Sequence, residues 1–161
     1  MKKFPLLQVS GTHRDIGLAI GEMQRDRIKN RMEARRRLIP NYQSYLDKMP
    51  DYIAITKKHF PKLVEEVDGI VEASGVPFDE YFFAQARDLY PFYIEGDADT
   101  DFDGDHCTVA VSFNEDGVIV GDNEDWTIEA LDDLYLLKAT VDGTTFFGLQ
   151  YADSIPGEAA S

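Results

Sequence analysis

The sequence predicts an α+β protein, in which helices come first and antiparallel strands follow. Three observations carry this. Apolar residues recur at helical spacing through roughly the first ninety positions. An acidic, glycine-containing stretch at 95–105 then breaks the pattern, and β-prone runs joined by tight-turn residues follow it.

The elements can be justified in order. Ser10, Thr12 and Asp15 offer capping groups, and Ile16, Ala19, Ile20 and Met23 then recur on one face. This predicts a helix that runs to Ile39, ahead of Pro40. Prolines 50 and 61 suggest the ends of a second helix over 42–49 and a third over 51–60. From Pro61 to Ser74, Leu63, Val64, Val67, Ile70 and Val71 form one apolar face, with Gly75 as a natural C-cap. Val76-Pro77-Phe78-Asp79-Glu80 restarts a helix toward Leu89. Beyond the acidic stretch, 108–113 and 118–120 flank Asn114-Glu115-Asp116-Gly117, and 134–141 and 144–151 flank Asp142-Gly143. Each reads as a hairpin.

The chain has 161 residues, 43% of them hydrophobic and 12% aromatic, enough for a packed core. It has no apolar run of about 18 residues and no secretory leader pattern, so a cytoplasmic protein is expected with no membrane partner. The net charge of -14 is uneven. Residues 1–62 hold 14 basic and 6 acidic side chains, whereas 63–161 hold 2 basic and 24 acidic. The basic arginines are interleaved with Glu22, Asp26 and Glu33, and the acidic remainder would repel a phosphate backbone. Nucleic acid is therefore not an expected partner, and the two halves are expected to complement each other within one fold.

The informative stretch begins at the single cysteine. Cys107-Thr108 opens a strand, a hairpin reverses the chain at Gly117, and the return strand ends in Gly121-Asp122-Asn123-Glu124-Asp125-Trp126. Antiparallel pairing should bring Asn123 and Asp125 back to the end of the sheet where Cys107 starts. A lone thiol builds neither an intramolecular disulfide nor a multi-thiolate metal site, and it reads as either a buried structural thiol or a nucleophile.

This stretch resembles the acyl-coenzyme A:6-aminopenicillanate (isopenicillin N) acyltransferase family of N-terminal-nucleophile hydrolases. It is more distantly similar to penicillin V acylases and bile-salt hydrolases. The shared pattern is Cys-Thr, a strand, a turn with glycine, and Gly-x-Asn-x-Asp-Trp. The run Gly11, Gly17, Gly21 is similar to the family's pro-segment. The resemblance implies an αββα sandwich, of which this chain is the front part. It implies a pro-segment over 1–106, with an acidic linker at 95–106, and a catalytic segment over 107–161. It also implies self-cleavage between His106 and Cys107, after which Cys107 is both nucleophile and, through its freed α-amine, general base. Asp125 would orient that amine, and Asn123 would position backbone or substrate. The substrate would be a small-molecule amide or an acyl-CoA-type thioester, with no cofactor and no metal, and the pro-segment would stay associated after the cut. The family usually has glycine where His106 stands. Its oxyanion asparagine and a later arginine have no counterpart before Ser161, which implies that the chain is part of a longer enzyme.

Competing readings exist for the remaining motifs. Asp99, Asp101, Asp103 and Gly104 match the start of a calcium loop, but the twelfth position is Ala110 where a glutamate is needed, so a solvated, protease-accessible linker is the better reading. His106 adjoins Cys107 and would point to the opposite face of a strand, so it is poorly placed as a dyad partner. His13 and His59 read as surface or packing residues. Tyr81, Phe82, Phe83, Tyr90, Phe92, Tyr93 and Trp126 suit an apolar acyl pocket or ordinary core packing. The rival functions are a non-enzymatic interaction module and a calcium-responsive protein.

Overall fold

The computed structural model describes residues 3–86, 108–115, 117–123 and 131–156. It is an α+β structure. Strand β1 (Leu6–Gly11) leads into helix α1 (His13–Leu38). Helices α2 (Tyr42–Leu46), α3 (Met49–His59), α4 (Pro61–Ser74) and α5 (Phe78–Gln85) follow. The hairpins are β2 (Thr108–Asn114) with β3 (Gly117–Asn123), and β4 (Leu134–Val141) with β5 (Thr144–Tyr151).

Local chemistry sets most element boundaries. At the start of α1, Thr12 and Asp15 form a reciprocal capping box: the Asp15 N–H donates to the Thr12 hydroxyl at 3.2 Å, and the Thr12 N–H donates to the Asp15 carboxylate at 2.8 Å. The hydroxyl hydrogen bond from Thr12 holds the Asp15 carboxyl below the usual aspartate range. Gly75 ends α4 in the left-handed region at φ 76°, which a Cβ would strain. In the β4–β5 turn, Asp142 and Gly143 both have positive φ, 50° and 80°, the pattern whose twist suits a two-residue hairpin. Pro50 differs from the expectation. It sits at the start of α3 rather than between two helices, because the first turn of a helix has no use for the missing N–H.

The first ninety residues are not all helical. Leu6–Gly11 forms a strand that pairs in parallel with β4, from Leu6↔Leu136 to Gly11↔Val141, beside the antiparallel β4–β5 pair. Leu7 and Val9 alternate with exposed Leu6, Gln8 and Ser10, which is the period of a strand with one covered face. The three-stranded sheet has the order β1-β4-β5, and β2–β3 forms a separate two-stranded sheet.

One face of the larger sheet is covered by helices. Ile16, Ile20 and Met32 of α1, Ile70 of α4 and Tyr81 of α5 pack with Tyr135, Leu137 and Ala139 of β4. A smaller cluster gathers Ile39, Leu46 and Met49 around Phe83, whose ring stacks on Tyr45 at 5.3 Å and meets Tyr42 edge-on at 5.4 Å. Helices α1 and α4 lie with their backbones in contact. A Cβ on Gly17 would fall 2.0 Å from the Glu66 carbonyl oxygen, one on Gly21 2.4 Å from that of Ile70, and one on Gly69 2.4 Å from that of Arg14. The glycines that resemble a family signature thus have a packing role.

Gly17→Ala should force the two helices apart and cost about 1–3 kcal/mol of unfolding free energy in urea denaturation. Gly121→Ala, where a Cβ meets nothing within 4 Å, should leave the midpoint unchanged. Equal midpoints for the two variants would contradict the close contact.

Candidate functional site

The candidate site is the end of the β2–β3 hairpin where β2 begins. The register is complete over seven pairs, from Asn114↔Gly117 at the turn to Thr108↔Asn123 at the open end. Asn123 therefore stands directly across from Thr108, the residue that follows Cys107 in the chain. Both Thr108 and Asn123 are exposed. Cys107, His106 and Asp125 lie outside the described residues, as do the Asp-rich stretch, Tyr90, Phe92, Tyr93 and Trp126. Of the aromatic residues weighed for a pocket, Tyr81 and Phe83 are fully buried, and Phe82 stacks on Phe78 at 6.1 Å. These three pack within the helical layer. His59 is exposed, and His13 pairs through Nδ1 with the Glu66 carboxylate at 3.1 Å. Burial raises the Glu66 carboxyl above the usual range, and the His13 contact opposes that shift.

The charge asymmetry resolves into ion pairs between distant parts of the chain. Arg27, Arg31 and Arg35 follow one another at i, i+4 and i+8 on one side of α1. Arg31 Nε donates to Asp133 at 2.8 Å, with Arg27 at 4.0 Å from the same carboxylate, and Arg35 donates to Asp153 at 2.7 Å. Lys62 pairs with Asp142 in the β4–β5 turn, and Arg36 with Glu80 at 2.6 Å. Asp133 and Asp153 are nearly buried, so these pairs are less screened than surface ones. Gln85 adds a neutral clamp: its amide Nε2 donates to the Asp153 carbonyl at 2.8 Å, and its Oε1 accepts from the Ile155 N–H at 3.1 Å. None of these partners is local in sequence, and no motif in the chain flags them.

Under the helices, Tyr135 is cross-strand from Gln150, and both are buried, as are Tyr81 and Gln24. Burial pushes the Tyr81 phenol well above its usual range, with the Asp153 carboxylate adding to the shift, and burial likewise raises Tyr135.

No family model matches the chain. It is 24% identical to the beta-alanyl-dopamine/carcinine hydrolase of Drosophila melanogaster over 98% of its own length and 45% of that protein's. The chain is thus a distant relative of a hydrolase and spans about half the length of that relative. Among the described residues, no helix is long and apolar enough to cross a membrane.

Because the folded-state pKa values of Tyr81 and Tyr135 are raised, their contribution to stability is intact below the ordinary tyrosine value of about 10 and is lost as pH climbs above it. In an alkaline titration at 295 nm, these two phenols should ionise only together with loss of the helical circular dichroism signal. Tyr135→Phe should remove amplitude from that unfolding-coupled phase alone; a loss from the earlier, reversible phase would contradict the assignment.

Proposed function

We propose that this chain supplies the nucleophile of an amide-hydrolysing or acyl-transferring enzyme of the N-terminal-nucleophile type, with Cys107 made N-terminal by self-cleavage after His106. The observation that carries the reading is the Thr108↔Asn123 pair, which closes the hairpin with Asn123 across from the first residue of the strand that Cys107 precedes in sequence. The distant similarity to a hydrolase supports the same class of chemistry.

Maturation begins with attack of the Cys107 thiol on the His106 carbonyl carbon. The C–N bond breaks as the C–S bond forms, the proton passes from sulfur to the departing nitrogen, and an ester-like thioester replaces the peptide bond. Water then hydrolyses the thioester, leaving the His106 carboxylate and a Cys107 that bears both a thiol and a free α-amine. That amine has an ordinary pKa of about 7.7–8.0, suited to a base near neutrality.

In turnover the amine takes the thiol proton and the sulfur attacks a substrate amide carbonyl. The leaving amine departs with the proton, and water or a second amine then resolves the acyl-enzyme. Asp125 orients the α-amine and Asn123 positions backbone or substrate. This chemistry requires neither a metal nor an organic cofactor. Beta-alanyl-dopamine is the first substrate to test, given the name of the relative, and an acyl-coenzyme A thioester is the second.

The segment before the cut stays bound to the segment after it. The six-residue β1–β4 ladder and the ion pairs Arg31–Asp133, Arg35–Asp153 and Lys62–Asp142 all bridge 1–106 and 107–161, and none depends on the scissile bond.

Intact-mass spectrometry of the purified protein should find two polypeptides, one of them beginning at Cys107, that co-elute in size exclusion until denaturant is added. Cys107→Ala should abolish the cut and Cys107→Ser should slow it. Processing that continues unchanged in Cys107→Ala would overturn the mechanism.

A further inference from the structure

The core between the helices and the larger sheet contains two tyrosines, Tyr81 on α5 and Tyr135 on β4, and neither has any exposed surface. They belong to one packed cluster with Ile20, Ile70 and Leu137. Among the described residues, neither phenol hydroxyl has a hydrogen-bond partner. Folded proteins rarely leave such groups bare, because a buried hydroxyl gives up its hydrogen bonds to solvent on folding and must replace them. The two phenols also lie near each other. Burial raises the Tyr81 phenol, and the Asp153 carboxylate and the Tyr135 phenol raise it further. The register sets buried Gln150 directly across from Tyr135, on the same face of the sheet. Polar side chains from α5, β4 and β5 therefore share one small region of an otherwise apolar core.

We propose that Tyr81 and Tyr135 together bind an internal water molecule, which joins α5 to β4 through one hydrogen bond to each hydroxyl. The chemistry of the region selects the guest. The carboxylates that act on Tyr81 are already paired, Asp153 with Arg35 and Glu66 with His13. An added ion would therefore bring an unbalanced charge into the core. An apolar guest would leave both hydroxyls unsatisfied. What remains is a neutral molecule that both donates and accepts, and the close packing of Ile20, Ile70 and Leu137 in the same cluster restricts it to the size of water. An internal water needs about two to four polar partners, which the two phenols and the Gln150 amide can supply. This bridge runs from the segment before Cys107 to the segment after it. Unlike the arginine–aspartate pairs it carries no charge, so salt does not screen it.

The test uses the Cys107→Ala chain, so that processing does not enter, with Tyr81→Phe, Tyr135→Phe and the double variant. Phenylalanine keeps the ring and removes only the hydroxyl. Magnetic relaxation dispersion of solvent oxygen and deuterium, which counts long-lived internal waters, should find at least one fewer in the double variant than in the parent. In urea denaturation at neutral pH, each single variant should lower the folding equilibrium constant about tenfold, the scale of one buried hydrogen bond. The double variant should fall well short of the roughly hundredfold product, because either substitution breaks the same bridge. An unchanged water count would overturn the proposal. So would a single variant that folds more favourably than the parent, the result expected for a bare hydroxyl. A double variant at the full product would also overturn it, since the two hydroxyls would then have separate partners.

Discussion

The structure depends on a parallel pairing between its first strand and a strand more than 120 residues later. Six register pairs, Leu6↔Leu136 through Gly11↔Val141, place β1 at the edge of the sheet that β4 and β5 form. Parallel strands need a crossover, and here it is supplied by everything from α1 onward. Because β1 runs straight into the Thr12 cap, its position fixes where α1 enters. Close contact at Gly17, Gly21 and Gly69 then fixes α4 against α1. The arginine row on α1 consequently reaches Asp133 and Asp153 at the other end of β4 and β5. The residues before and after Cys107 share one core, in which Ile16, Ile20 and Tyr81 meet Tyr135, Leu137 and Ala139.

Features governed by near neighbours in sequence were legible in advance. The capping box, the Gly75 cap, both hairpin turns and the four strands after residue 107 follow from residues within a few positions of one another. Strand β1 was not legible, because six residues with two inward apolar side chains give a weak signal, and their partner is distant. Pro50 misled for a different reason: proline marks a boundary without saying which side of it is helical. The ion pairs were foreseeable only as a balance of charge between the halves. Which aspartates meet Arg31 and Arg35 is decided by the fold.

The candidate site divides along the same line. The meeting of Asn123 with the start of β2 is a consequence of hairpin register and could be read from the Asn114–Gly117 turn. The roles proposed for Cys107 and Asp125 rest on a resemblance of motif, and spacing alone does not separate a nucleophile from a structural thiol.

The most direct measurement of the proposed mechanism is an acid quench after beta-alanyl-dopamine is added to the protein, followed by tandem mass spectrometry of the peptide that contains Cys107. The account predicts a peptide whose first residue is Cys107, with a free α-amine and a beta-alanyl group in thioester linkage to its sulfur. Turnover at full rate with Cys107 unacylated and still joined to His106 would contradict it.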